Sequence, residues 1–372
     1  MTIRLKALFS SLMILALGLG YTDIYFPVDG LSFERLHIFL FNLCSGGTIL
    51  LYYTERQTKV SGRVRLFFVL SLVYALSAFF KWYPLTLAVS AALWGLIEKI
   101  RINKFSIVPY QFFLPGVPVS EKFHQASLWC LSIGVAMASV VIINNEYTHW
   151  VHMEKLTLDT FFLGYSFPLS LVTLSLVFNM LKNIEGPKSK SIMELCFWTI
   201  TVGVIVFFVF ILFEKFMPQI FVTAALFTAV IMVFMLYYTF ADSMQQKKFL
   251  TSGIGFLIVT AVTGIAYICL EMQDGYDPSK TKWLLHTHVF ASLYGWNLCG
   301  LAVICRFDDF PIRLHSTTVI VVHWLTALVL APLGVFGGWF AVLAIAGYAF
   351  ITLTLFFSGN GQISYDQYPG KS

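Results

Sequence analysis

Two histidines separated by one residue, His286 and His288, sit about one helical turn inside an apolar stretch, WLLHTHVFASLYGWNLCGLAVICR at 283–306. An ionisable side chain at membrane depth costs about 2–3 kcal/mol or more, so a pair of imidazoles there marks a candidate functional site. Neutral imidazole is also a common metal ligand. Side chains at i and i+2 leave a regular helix about 200° apart. The two rings therefore cannot grip one ion together, but each can hold a separate cofactor. A third imidazole, His37, lies in FERLHIFLFNLCSGGTILLYY at 33–53, again about one turn inside its apolar run.

The elements that must position these rings are membrane helices. Of 372 residues, 58% are hydrophobic and 12% charged, and the mean hydropathy is +0.79. A soluble domain carries about 25% charge. The sequence is read as one transmembrane helical domain over 1–372, all-α and polytopic, with a short polar tail at 359–372. Its partner is the lipid bilayer, and the net charge of +5 needs no nucleic acid to explain it. The six cysteines show no CxxC, CxxCH or finger spacing, so covalent haem attachment and zinc modules find no support. The apolar N-terminal segment has no clear small-residue cleavage site and is expected to be a retained first helix.

Hydropathy gives about twelve spans. They fall near 6–26, 33–53, 64–80, 83–99, 124–144, 157–181, 191–214, 218–241, 249–270, 283–305, 314–334 and 337–357. With the N-terminus inside, 18 of the 24 Lys and Arg fall on the inner side and 6 on the outer. That bias is what the positive-inside rule requires, and both termini are then cytoplasmic. Spans two and ten both run from outside to inside. His37, His286 and His288 would all lie about 6 Å below the outer helix ends. Two histidines on parallel helices at equal depth can clamp a haem iron from both faces. Gly46, Gly47, Gly295 and Gly300 would let helices or a macrocycle approach closely. Phe33, Phe39, Phe41, Trp283, Phe290, Tyr294 and Trp296 would wall a flat apolar cofactor.

The other histidines carry less. His323 falls near the midplane of the eleventh span, as a residue bonded to a neighbouring helix or as a third ligand or proton relay. His124 and His315 sit at inner helix ends, where capping is the ordinary role. His149 and His152 form an HxxH in an outer loop and are expected to be inert there.

Together, a histidine in the second span, an HxH pair in the tenth, twelve spans and a common ligand depth resemble the heme-copper oxidase subunit I superfamily, which includes the large subunit of nitric oxide reductases. The resemblance implies an oxidase-like bundle with haem, b-type, in one or two copies. His37 and His288 would be the axial ligands of a low-spin haem, and His286 the ligand of a high-spin haem. It also implies a bacterial inner-membrane location, a cytochrome or quinol electron donor, and oxidoreductase chemistry if the chain is an enzyme.

The sequence departs from that family at the second metal. In the sixth span, TFFLGYSFPLSLV has Tyr165, Ser166 and Phe167 where a histidine is expected, which leaves Tyr165 as a further candidate. The seventh span has no histidine; Glu194 and Cys196 lie near its inner end. No copper is therefore expected, and oxygen reduction or nitric oxide coupling would lack its second metal. What remains is electron transfer or the binding of a diatomic gas, O2 or NO. Two other readings stay open: a multi-span transporter or channel without haem, and a structural subunit that docks a partner.

Overall fold

The structure, a computed structural model, describes residues 1–55, 60–153, 155–181, 186–241, 246–273, 275–306 and 316–358. Among them the chain forms helices and no strands. We number the rods α1 (Ile3–Tyr25), α2 (Phe33–Glu55), α3 (Gly62–Phe79), α4 (Tyr83–Lys104), α5 (Val119–Thr148), α6 (156–179), α7 (Pro187–Leu212), α8 (Phe216–Phe240), α9 (Gln246–Glu271), α10 (278–305), α11 (Thr317–Leu333) and α12 (Gly338–Phe357). Ten of the described helices are long and apolar enough to cross a bilayer. The chain is a polytopic helical membrane protein. The two rods outside that set are α11, which is shorter, and α4, whose final turns carry Glu98, Lys99, Arg101 and Lys104.

Local chemistry sets the boundaries. The Ser32 hydroxyl accepts from Arg35 N and starts α2, and Ser61 accepts from Val64 N and starts α3. Such caps satisfy the N–H groups that a first turn leaves without partners. Pro84 and Pro187 stand in first turns, where a missing N–H costs nothing, and Pro168 follows the π segment within α6. Lys81 adopts a left-handed φ of +59° and separates α3 from α4 within three residues. The inner loop is shorter than expected, because α4 runs on to Lys104 and α5 already begins at Val119. His315 and the tail at 359–372 lie outside the described residues.

Burial ranks the rods. α2 is 94% buried within its span and α10 is 83%, whereas α7 is 22%. The two histidine-bearing helices therefore form the centre of the bundle, with α6 beside them. The outer rods present residues such as Phe221 and Met235 to lipid. α2 packs on α1, α3, α4 and α6, and α10 on α6, α9, α11 and α12. Between α2 and α10 themselves the closest packing is Thr48–Glu55 against Leu298–Cys305, the half away from the histidines. In a bilayer such contacts rest on close packing of small residues rather than on a hydrophobic drive. The glycines show this. A Cβ on Gly300 would overlap the Thr173 hydroxyl, and Gly134 of α5 meets Gly164 of α6 backbone to backbone.

Among the described residues there are five π-helical segments, four within rods at 39–47, 162–166, 291–297 and 326–330 and one closing α5 at 144–148. A π turn inserts residues into an α-helix, rotates the faces beyond it, and is frequent at functional sites. Three of the five begin within three residues of a buried or half-buried histidine: His37, His288 and His323.

Candidate functional site

His37 is buried on the second turn of α2. Its ring lies against α1: a Cβ on Gly20 would stand 3.3 Å from Nδ1 and 3.5 Å from Cγ. Glycine at 20 is what lets the imidazole fit. Nδ1 makes no full hydrogen bond, although the ring interacts with the Glu34 backbone one turn back. A buried, unpartnered polar atom costs about 1–3 kcal/mol and asks for an explanation.

His286 answers from α10. Its Nε2 is also buried without a partner. Phe290, one turn on, stacks 6.1 Å from the His286 ring and lies 6.2 Å from Tyr21 of α1. Tyr21 is fixed by a 2.9 Å bond from its hydroxyl to Ala331 O of α11. Both rings are thus linked to α1, His37 at Gly20 and His286 through Phe290 at Tyr21.

His288 leaves α10 toward α9. Its Nδ1 is 2.9 Å from Thr260 O. A carbonyl can only accept, so Nδ1 carries the proton and Nε2 keeps its lone pair. A backbone carbonyl on one ring nitrogen is the usual way a metal-binding imidazole is held in its ligand tautomer. This ring too rests on a glycine, with a Cβ at Gly264 standing 3.2 Å from Cε1. His286 and His288 therefore face different neighbours, as their spacing requires. Of the two histidines expected to pair, His288 is turned to α9 and His37 to α1.

The glycines and aromatics expected around a cofactor divide. Gly46 packs on Leu169, Gly295 on Phe256 and Gly300 on Thr173, so these serve helix crossings rather than a macrocycle. Phe41 and Tyr294 touch at 5.1 Å, and Phe290 adjoins His286. Phe39 instead faces Tyr74, Phe161 and Tyr165, and Phe33 faces Phe79. Trp296 donates to Ser170 at 2.6 Å, and Trp283 is half exposed.

His323 has a sufficient structural role. Its Nε2 donates to Tyr294 O at 2.7 Å, inside the π segment of α10, and its ring lies 4.6 Å from Phe256. It ties α11 to a carbonyl that the widened helix presents. Its Nδ1 remains without a partner. His124 is held by Thr54, whose hydroxyl donates to Leu50 O and so accepts from Nε2 at 2.9 Å; Lys104 Nζ is 3.4 Å from Nδ1. His149 and His152 are exposed. Glu194 pairs with Lys122 at 2.7 Å and Cys196 is packed against α8, both far along α7 from the histidine end. Among the described residues no group of three or more His, Cys, Asp or Glu side chains converges as a metal site. A haem asks for less, because its porphyrin supplies four of the iron's ligands.

Gly20, Gly264, Thr260 and Tyr21 were not legible as site residues. One signal was available for Gly20: it precedes the end of α1 by about as many residues as His37 follows the start of α2, so the turn between them brings the two level. Comparison of the chain with protein-family models, with curated proteins and with solved structures returns no match.

Proposed function

We propose that this chain is a haem-binding membrane protein of twelve spans, built on the plan of the oxidase subunit it resembles. In this reading His37 of α2 and His286 of α10 hold a b-type haem between them. The observation that carries it is the pair of buried imidazole nitrogens at one end of the bundle, His37 Nδ1 and His286 Nε2, neither of which makes a full hydrogen bond. A buried polar group without a full bond calls for an explanation, and a bound ligand is one that these two histidines share. Gly20 gives the His37 ring its seat. Tyr21 and Phe290 supply an apolar wall beside His286. His288, held in its Nδ1–H form by Thr260, is the candidate ligand of a second haem on the α9 side. Bound haem supplies an iron that carries one electron, or that binds a diatomic gas where one face stays open. The chain's own residues orient the ligands and exclude water.

The reading places the histidine end outside and both termini in the cytoplasm, by the distribution of Lys and Arg. A cytochrome or quinol would supply electrons. The test is a pyridine haemochrome count on purified protein and on His37→Ala, His286→Ala and His288→Ala. Stoichiometric haem that falls in the first two variants supports the reading. Folded protein without haem would overturn it and leave the transporter reading in its place.

A further inference from the structure

The same end of the bundle holds a second feature that the histidines do not use. A cavity of about 320 Å³ opens between the ends of α2, α3, α4, α5 and α6. That volume is at the lower end for small-molecule sites. At about 30 Å³ per water it equals roughly ten water volumes, which suits a ligand of about one aromatic ring with short substituents.

Its lining is ordered from polar mouth to aromatic floor. Arg35, Lys81 and Glu146 stand at the mouth, two cations against one carboxylate. Lys81 is fixed there by the left-handed turn between α3 and α4. Its Nζ lies 3.7 Å from where a Cβ on Gly30 would be, and Gly30 itself needs its φ of +81°. Deeper, Phe39 and Phe161 meet at 5.1 Å with their rings tilted 58°, and Phe79 completes the wall. At the floor, Tyr74 and Tyr165 are each 1% exposed, and their hydroxyls share one hydrogen bond at 3.2 Å. One hydroxyl donates to the other. The acceptor's own O–H has no other partner among the described residues, so one buried donor is left for an acceptor atom in the cavity.

We propose that this cavity binds a small aromatic carboxylate. The acid group lies at Arg35 and Lys81, the ring fills the tilted aromatic box, and an acceptor on the far side of the ring takes the spare tyrosine proton. Aromatic rings favour edge and offset contacts of the kind this box offers. A cationic pair with a neutral aromatic floor selects an anion at one end only. A phospholipid would use the cations but would leave the buried hydroxyl without an acceptor beside its acyl chains. The site is separate from the histidine region: its lining takes Leu36 and Phe39 from α2, whereas the His37 ring is turned to α1.

The experiment is ligand-observed NMR titration of the full chain in nanodiscs with para-methoxyphenylacetate, its methyl ester and phenylacetate. The acid should bind saturably. The ester, without charge, should bind about tenfold more weakly, and phenylacetate, without the distal acceptor, about two- to tenfold more weakly. Arg35→Gln should reproduce the loss seen with the ester, and the double change Tyr74→Phe with Tyr165→Phe, which removes the spare donor whichever hydroxyl carries it, the loss seen with phenylacetate. The ligand series on the unaltered protein keeps the test valid if a variant fails to fold. No saturable binding, equal binding of acid and ester, or a tightly held phospholipid released only from Arg35→Gln protein would overturn the proposal.

Discussion

Position 20 gives the sharpest test of how the proposed ligand is seated. An alanine Cβ there would stand 3.3 Å from His37 Nδ1, 3.5 Å from Cγ and 3.7 Å from Cε1. Ordinary carbon contacts lie at about 3.5–4.0 Å, so alanine asks the ring to retreat by a few tenths of an ångström. Valine adds two methyls beyond that Cβ and must displace the ring. Overpacking of this kind costs about 1–3 kcal/mol. Converted at 1.4 kcal/mol per tenfold, that is about five- to 150-fold in haem affinity. Gly18 is the control, because a Cβ there meets nothing within 4 Å. The assay is haem transfer from each detergent-purified protein to apomyoglobin, with thermal unfolding alongside. Gly20→Ala should release haem slightly faster than the parent, Gly20→Val at least fivefold faster, and Gly18→Val at the parental rate. Equal retention in Gly20→Val and Gly18→Val would refute the claim that His37 is seated on α1 as a ligand.

Gly300→Ala should lower the unfolding temperature by an amount corresponding to about 1–3 kcal/mol, since its Cβ would overlap Thr173 and stand 2.7 Å from that residue's Cβ; Thr173→Ala in the same chain should recover part of the loss. Glu194→Gln leaves Lys122, with its side chain 2% exposed, without its carboxylate; breaking a buried pair costs about 3–5 kcal/mol, and the 29% exposure of Glu194 brings the expectation toward the lower figure or below it. The paired change to Lys122→Met and Glu194→Leu should restore much of the stability in a thermal melt. His323→Phe removes the donor to Tyr294 O and should cost about 1–3 kcal/mol, yet leave the haem count unchanged. A parallel loss of haem would instead make His323 part of the cofactor site.

The class of fold was legible because a bilayer leaves little choice: apolar runs of about twenty residues become helices. The break between the third and fourth spans falls where the left-handed Lys81 reverses the chain. The three histidines were legible as exceptions to apolar composition. Which neighbour each one faces was not. That depends on how the helices pack, which no local residue pattern encodes. The glycines were visible as places where helices or a macrocycle could approach. Gly300 and Gly295 meet Thr173 and Phe256, helix contacts between residues more than thirty positions apart. Gly20 was overlooked because glycine within an apolar helix carries no chemistry of its own. The cavity over Tyr74 and Tyr165 was invisible for a similar reason, since five helix ends from distant parts of the chain build it.

A reduced-minus-oxidised spectrum of the purified protein, recorded beside His37→Ala and His286→Ala, tests the central claim most directly. The account predicts the sharp α and Soret bands of a bis-histidine haem in the parent, lost or replaced by high-spin bands in both variants. Folded parent protein with a featureless spectrum after haem loading, or a low-spin signal unchanged by both substitutions, would contradict it.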